Sequence, residues 1–229
     1  MNNINIITSF FLSHIIDPNI QNRNNELIKI IYIHIHSPHV DKIYLYIDDD
    51  ISYNKLKELF QSRLDDGKII IIEIGKQPLY SDLFKYANES LQGKICMITN
   101  SDIYIHECDN RLINMLPTTP NLLFALTRHE HDMSCPLINN YMGSHDCFIF
   151  NSPLNGDFIK NIEFTQNNWR SENKLLRELV KVNIKILNPC NQIQIVHLHN
   201  SDIREKDRIW IIDDYSNEDP NCHSIPCVL

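Results

Sequence analysis

A chain of 229 residues with 43% hydrophobic and 22% charged side chains holds enough apolar material for one globular domain with a sizeable core. Its formal net charge of -8 repels a phosphate backbone, and no cluster of Lys and Arg offsets this, so general nucleic-acid binding is disfavoured. No run reaches the ~18 to 20 apolar residues that span a bilayer, no leader of secretory type opens the chain, and the seven cysteines are scattered without a CxxC, which leads us to expect reduced thiols and a cytoplasmic location.

In chain order, apolar runs of strand length occur at Ile4–Ile7, Ile43–Ile47, Ile69–Ile74 and Ile95–Thr99. They are rich in Ile and Tyr and nearly continuous, as strands buried on both faces are. Segments of helical spacing lie between them: Asn24–His36, Asn54–Leu64 with Leu56, Leu59, Phe60 and Leu64 on one side, and Pro78–Leu91 with Leu79, Leu83, Phe84, Ala87 and Leu91 on one side. The βαβαβαβ order over the first 100 residues predicts an α/β fold with a mostly parallel, Rossmann-like sheet flanked by helices. Further on, Leu122–Leu126, Cys147–Phe150, Ile184–Leu187 and Ile193–Leu198 read as strands, and Glu172–Lys181 reads as a helix capped by Ser171. A single domain over residues 1–212 is expected, followed by an irregular tail over 213–229. The tail motif Cys222–Cys227 matches no zinc spacing and reads as flexible chain with free thiols.

Ligands of such sheets bind beyond the carboxyl ends of the strands, and an anion on this acidic chain needs a metal ion or a helix N-terminus to hold it. The run Ile95–Thr99 leads straight into Asn100-Ser101-Asp102. Asp102 there is a hard oxygen ligand for Mg2+ or Mn2+, or the three residues form a turn or helix cap. His197 and His199 are two apart in a strand and point the same way, so both can face one site, or they fill surface and core. His34 and His36 diverge by roughly 200° on a helix and are read as structural. Glu172 at a helix start and Asp146 ahead of Cys147 are two further carboxylates, each a cap or turn residue or a positioned base.

These pieces, in their order from Ile6 to Arg204, resemble the A-type glycosyltransferase fold, and in particular small glycosyltransferase-like proteins of large DNA viruses and bacteria. They are Ile7-Thr8-Ser9-Phe10, Arg23–Leu27, Asp41–Leu45, Pro78–Phe84, Thr99–Tyr104, Ala125–Arg128, Ser144–Phe150, Ser171–Lys174 and Asn188–Cys190 with His197-Leu198-His199. The resemblance implies a metal-dependent enzyme moving a sugar from a nucleotide diphosphate, commonly a UDP-sugar, to a glycan or glycoconjugate hydroxyl. It implies that Thr8, Ser9 and Phe10 meet the base and ribose, that Arg23 lies near the nucleotide, and that Tyr80 and Asp82 lie near the donor. Asn100-Ser101-Asp102 looks like the family's Asp-x-Asp motif with its first Asp replaced, His199 or His197 supplies a late metal ligand, and Glu172 matches the acidic residue at the acceptor hydroxyl. Residues 1–104 then form a nucleotide-sugar-binding half and 105–212 an acceptor half. The chain departs from the family in lacking a Gly-rich turn over residues 165–170 and in the pair Lys76-Gln77, where Gln77 stands directly before Pro78 at a place usually basic. A sugar nucleotidyltransferase is the second reading, but residues Thr8 to Pro18 hold no Gly, Lys or Arg for a phosphate loop. A non-catalytic nucleotide-sugar-binding module is the third.

Overall fold

The computed structural model describes residues 3–132, 137–138, 145–201, 227 and 229. Ten strands and five α-helices occur among them: β1 (Ile4–Ser9), α1 (Pro18–His36), β2 (Val40–Ile47), α2 (Asp50–Asp65), β3 (Ile69–Glu73), α3 (Tyr80–Ser90), β4 (Ile95–Thr99), β5 (Ile103–Cys108), α4 (Asn110–Met115), β6 (Leu122–Leu126), β7 (His129–Glu130), β8 (Cys147–Asn151), α5 (Ser171–Lys181), β9 (Lys185–Leu187) and β10 (Ile193–His197). Seven strands form one sheet in the order β3-β2-β1-β4-β8-β6-β9. The neighbours are parallel except at β8, which runs antiparallel to both β4 and β6. This is the expected mostly parallel α/β sheet, its order switching direction beside β4.

Side chains alternate across the sheet as the pleat requires. On β2, Ile43, Leu45 and Ile47 enter the core beneath α1, α2 and α4, while Tyr44 and Tyr46 face the core beneath α3 and α5. On β8, Cys147 and Ile149 join the first core, and Phe148 and Phe150 join the second. Helices thus cover both faces, which is why the strand sequences are largely apolar rather than alternately polar. Each fully buried Ile, Leu or Phe adds roughly 1.5–3 kcal/mol, so these runs supply the main favourable contribution that holds the layers together.

Helix boundaries follow local chemistry. Helix α1 begins six residues before the predicted start, because Asp17 accepts hydrogen bonds from the amides of Asn19 and Ile20 and Pro18 occupies the first turn. It stops at Ser37, which Pro38 holds in an extended conformation. In α3 the Asp82 carboxylate accepts from the Leu79 amide at 3.0 Å, closing the first turn. The predicted Ser171 cap of α5 is not formed. Arg170, at φ 67°, occupies the cap position, and the Ser171 hydroxyl instead donates to the Gln166 carbonyl at 2.9 Å.

A second, three-stranded sheet in the order β5-β10-β7 lies over the first core; of its strands the sequence reading expects only β10, as Ile193–Leu198. Strand β10 is antiparallel to β5 and parallel to β7. The segment before β10 is clamped where Asn188 and Thr127 exchange hydrogen bonds of 3.2 and 2.9 Å in a buried position. No helix of the described residues is long and apolar enough to cross a membrane. The five described cysteines, Cys96, Cys108, Cys147, Cys190 and Cys227, are unbridged. Of the predicted tail, only Cys227 and Leu229 are among the described residues.

Candidate metal and nucleotide site

Strand β4 ends at Thr99, and the chain turns through Asn100, Ser101 and Asp102 directly into β5. The turn therefore bridges the two sheets at the carboxyl edge of the large one. Strand β10 pairs with β5 so that His197 lies opposite Ile103, next to Asp102. The Leu198 amide donates to the Asp102 carbonyl at 2.8 Å and extends that register to His199. Asp102, His197 and His199 thereby present ligand atoms that all lie within 4.8 Å of one another.

Three contacts of this cluster converge on one atom, Asp102 Oδ2. His197 Nε2 lies 3.1 Å from it, His199 Nδ1 3.5 Å, and Arg23 Nη2 2.5 Å. Burial alone would raise the Asp102 carboxyl. The hydrogen bonds of His197 and His199 and the charges of His197 and Arg23 outweigh that burial and hold Asp102 well below the usual carboxylate range. Burial likewise disfavours protonated His197, yet its bond to Asp102 wins and raises it. The Nε2 atom of His199 is buried with no hydrogen-bond partner. An ionised oxygen ligand, two imidazoles and an orphaned ring nitrogen suit a divalent ion such as Mn2+. The residues present fit a metal.

The site continues away from Asp102. Arg128, just after β6, pairs with Glu130 at 3.0 Å and with Asp146 at 3.3 Å, and His197 Nδ1 lies 3.4 Å from Glu130. Asp146 reaches this edge because β8 is antiparallel: Cys147 pairs with Thr99, so the start of β8 lies beside the end of β4. Asn100 then has a defined task. Its amide nitrogen donates to Asp146 Oδ1 at 2.9 Å, and its amide oxygen accepts from Gln166 at 3.3 Å. A carboxylate at position 100 has no proton to donate and would face the Asp146 charge, which accounts for Asn in the first place of the motif.

The other expected site residues have these positions. Arg23 lies on α1, in the ion pair above. Thr8 is buried and donates to the Thr99 carbonyl at 2.8 Å, Phe10 packs in the core at 1% exposure, and Ser9 between them is part-exposed. Ser101 is part-exposed in the turn. Tyr80 is fully buried, its ring set edge-on to Phe148 and Phe164, and the charges of Glu172 and Asp146 add to burial in pushing its hydroxyl well up. Asp82 is taken up by capping α3 and by Lys76 at 3.3 Å. Glu172 stands in the first turn of α5, part-exposed. The structure thus gathers Asp102, His197, His199 and Arg23 on one oxygen and joins Asn100 to Asp146, while Phe10, Tyr80 and Asp82 serve packing and capping.

Three participants carried no predicted role: Glu26, Arg128 and Glu130. Arg128 and Glu130 follow a predicted strand end at alternate positions, a signal available in the sequence. Glu26 gave none, since its partners Asn200 and Ser201 lie more than 170 residues away.

No protein-family model matches the chain, and no curated protein sequence matches it. By structure it is similar to a mannosyltransferase from Pyrobaculum calidifontis in complex with GDP-Man and Mn2+, with a TM-score of 0.51 and 11% identity, covering 86% of this chain and 56% of that one. The likeness is one of fold: both share an α/β architecture with a mostly parallel sheet flanked by helices. The chain spans little more than half the length of that neighbour.

Proposed function

We propose that the protein is a metal-assisted glycosyltransferase that takes a sugar from a nucleoside diphosphate and delivers it to an acceptor hydroxyl. The observation that carries this is the cluster of Asp102, His197 and His199 at the carboxyl edge of a glycosyltransferase-like sheet. These three residues would hold Mn2+ or Mg2+. The ion, when bound, neutralises charge on the departing diphosphate. On this reading residues 1–104 bind the donor, and residues 105–212 build the acceptor side and return the two histidines to the donor site.

The chain's own groups supply the rest. Arg23 and Arg128 provide positive charge at the edge where the diphosphate would lie, and electrostatic stabilisation of this kind is usually the largest catalytic contribution. Glu172, in the first turn of α5, is the acceptor-side carboxylate on the family resemblance. Asp146 is already occupied by Arg128 and Asn100. Its role is to hold Arg128 and the Asn100 turn in place. The donor is proposed to be a UDP-sugar, on the family resemblance. The GDP-Man in the structural neighbour is the observation that favours guanine instead.

The test is calorimetric competition of UDP, GDP, ADP and CDP with and without Mn2+. Metal-dependent binding of one nucleoside diphosphate is expected. Equal affinity in EDTA and in Mn2+ would reject the metal-assisted reading, and preference for GDP would reject the uridine donor while leaving the rest.

A further inference from the structure

Arg23 and the metal ion compete for the same carboxylate. A divalent ion held by Asp102, His197 and His199 needs the Asp102 carboxylate, and the Arg23 guanidinium already lies 2.5 Å from its Oδ2. Two cations that close repel strongly in a part-buried site, so the guanidinium must leave Oδ2 as the ion enters. It does not come loose, because its other end is anchored. Nη1 donates to Glu26 Oε2 and to the Leu198 carbonyl, both at 3.1 Å. Glu26 is itself fixed by the amides of Asn200 and Ser201, at 2.8 and 3.1 Å, and by the Ser201 hydroxyl at 3.0 Å. A guanidinium pinned at one nitrogen and released at the other has a forked set of donors to offer. Phosphate oxygens are the partner that such a fork matches.

We infer that Arg23 is exchanged between two partners: it neutralises Asp102 before the ion arrives and passes to the diphosphate once the ion is seated, with Glu26 as its fixed anchor. This rests on the metal-assisted reading above. It makes Arg23 both a competitor of the metal and a ligand of the nucleotide, and those two roles have opposite consequences when the side chain is removed.

The experiment measures two affinities in each protein: Mn2+ alone, by electron paramagnetic resonance of the free ion, and UDP or GDP at saturating Mn2+, by calorimetry. In Arg23→Gln, Mn2+ alone should bind about fivefold tighter or more, and the nucleoside diphosphate about fivefold weaker or more, the scale of one partly screened ion pair. A residue that only supports α1 would move both affinities down or neither. If Arg23→Gln does not fold, Arg23→Met keeps the aliphatic stem and carries the same two expectations. Mn2+ binding that is unchanged or weaker in the variant overturns the exchange and leaves the metal site standing. So does tighter Mn2+ binding with unchanged nucleotide affinity. Absence of Mn2+ binding by wild type and variant alike overturns the metal site, and the exchange with it.

Discussion

Acidification should destabilise the protein through a histidine that lies outside the proposed site. His34, on α1, is 1% exposed, and both of its ring nitrogens are buried without a hydrogen-bond partner. Burial pushes it down from 6.5 to about 4; the Ile103 main chain favours the charged ring without reaching hydrogen-bond geometry, and the Lys68 charge opposes it. The direction follows from linkage. The unfolded chain takes up the proton first, so the contribution is fully present above pH 6.5 and is lost as the pH falls from 6.5 toward 4. At ~1.4 kcal/mol per pH unit the loss is capped at about 3 kcal/mol, of which about 2 kcal/mol is gone by pH 5. The measurement is urea unfolding of wild type and His34→Leu at pH 7.5 and pH 5. Carboxylates and the other histidines titrate in both proteins and cancel in the comparison. Wild type should lose about 2 kcal/mol more than the variant over that interval. A difference below about 0.5 kcal/mol would show that His34 is hydrated or partnered in solution and would refute the assignment.

Three changes at the site give separate readouts. Glu172→Gln should lower sugar transfer by about 10²-fold or more, the usual scale for a general base, with nucleotide affinity nearly unchanged; wild-type transfer by this variant together with a dead Asp146→Asn would move the base to Asp146. Asp102→Asn should fold, since Arg23 keeps Glu26 and the Leu198 carbonyl as partners, but nucleoside diphosphate binding should no longer respond to Mn2+ in calorimetry; a retained metal response would remove Asp102 from the ligand set. Asn100→Asp, although it restores two acidic residues to the motif, should cost about 1–3 kcal/mol in urea unfolding at pH 7, because it deletes a donated hydrogen bond and sets a second carboxylate against Asp146. Equal or greater stability would mean that Arg128 neutralises both carboxylates.

The sheet was legible in the sequence because its signal is local. Each central strand is a short, mostly apolar run, and each crossover helix has its own apolar spacing, so period and length alone reveal the βα order. Asp102 was legible for the same reason, as a carboxylate a few residues past a strand end. The start of α1 at Pro18 was also written there, in the Asp17-Pro18 pair, but the Asn-rich opening of the helix, poor in helix propensity, masks it. What could not be read was anything decided by partners distant in the chain. Strand β8 is antiparallel, and only that reversal brings Asp146 beside Asn100, 46 residues earlier. The small β5-β10-β7 sheet sets His197 against Asp102 across 95 residues, and although the Ile193–Leu198 run reads as a strand, its partners β5 and β7 are not marked as such. Glu26, Arg23 and Leu198 meet only after α1 has docked against this second sheet. An amphipathic run specifies which face of an element is buried. Which element buries it, and which charged groups then share one oxygen, depends on the packed layers.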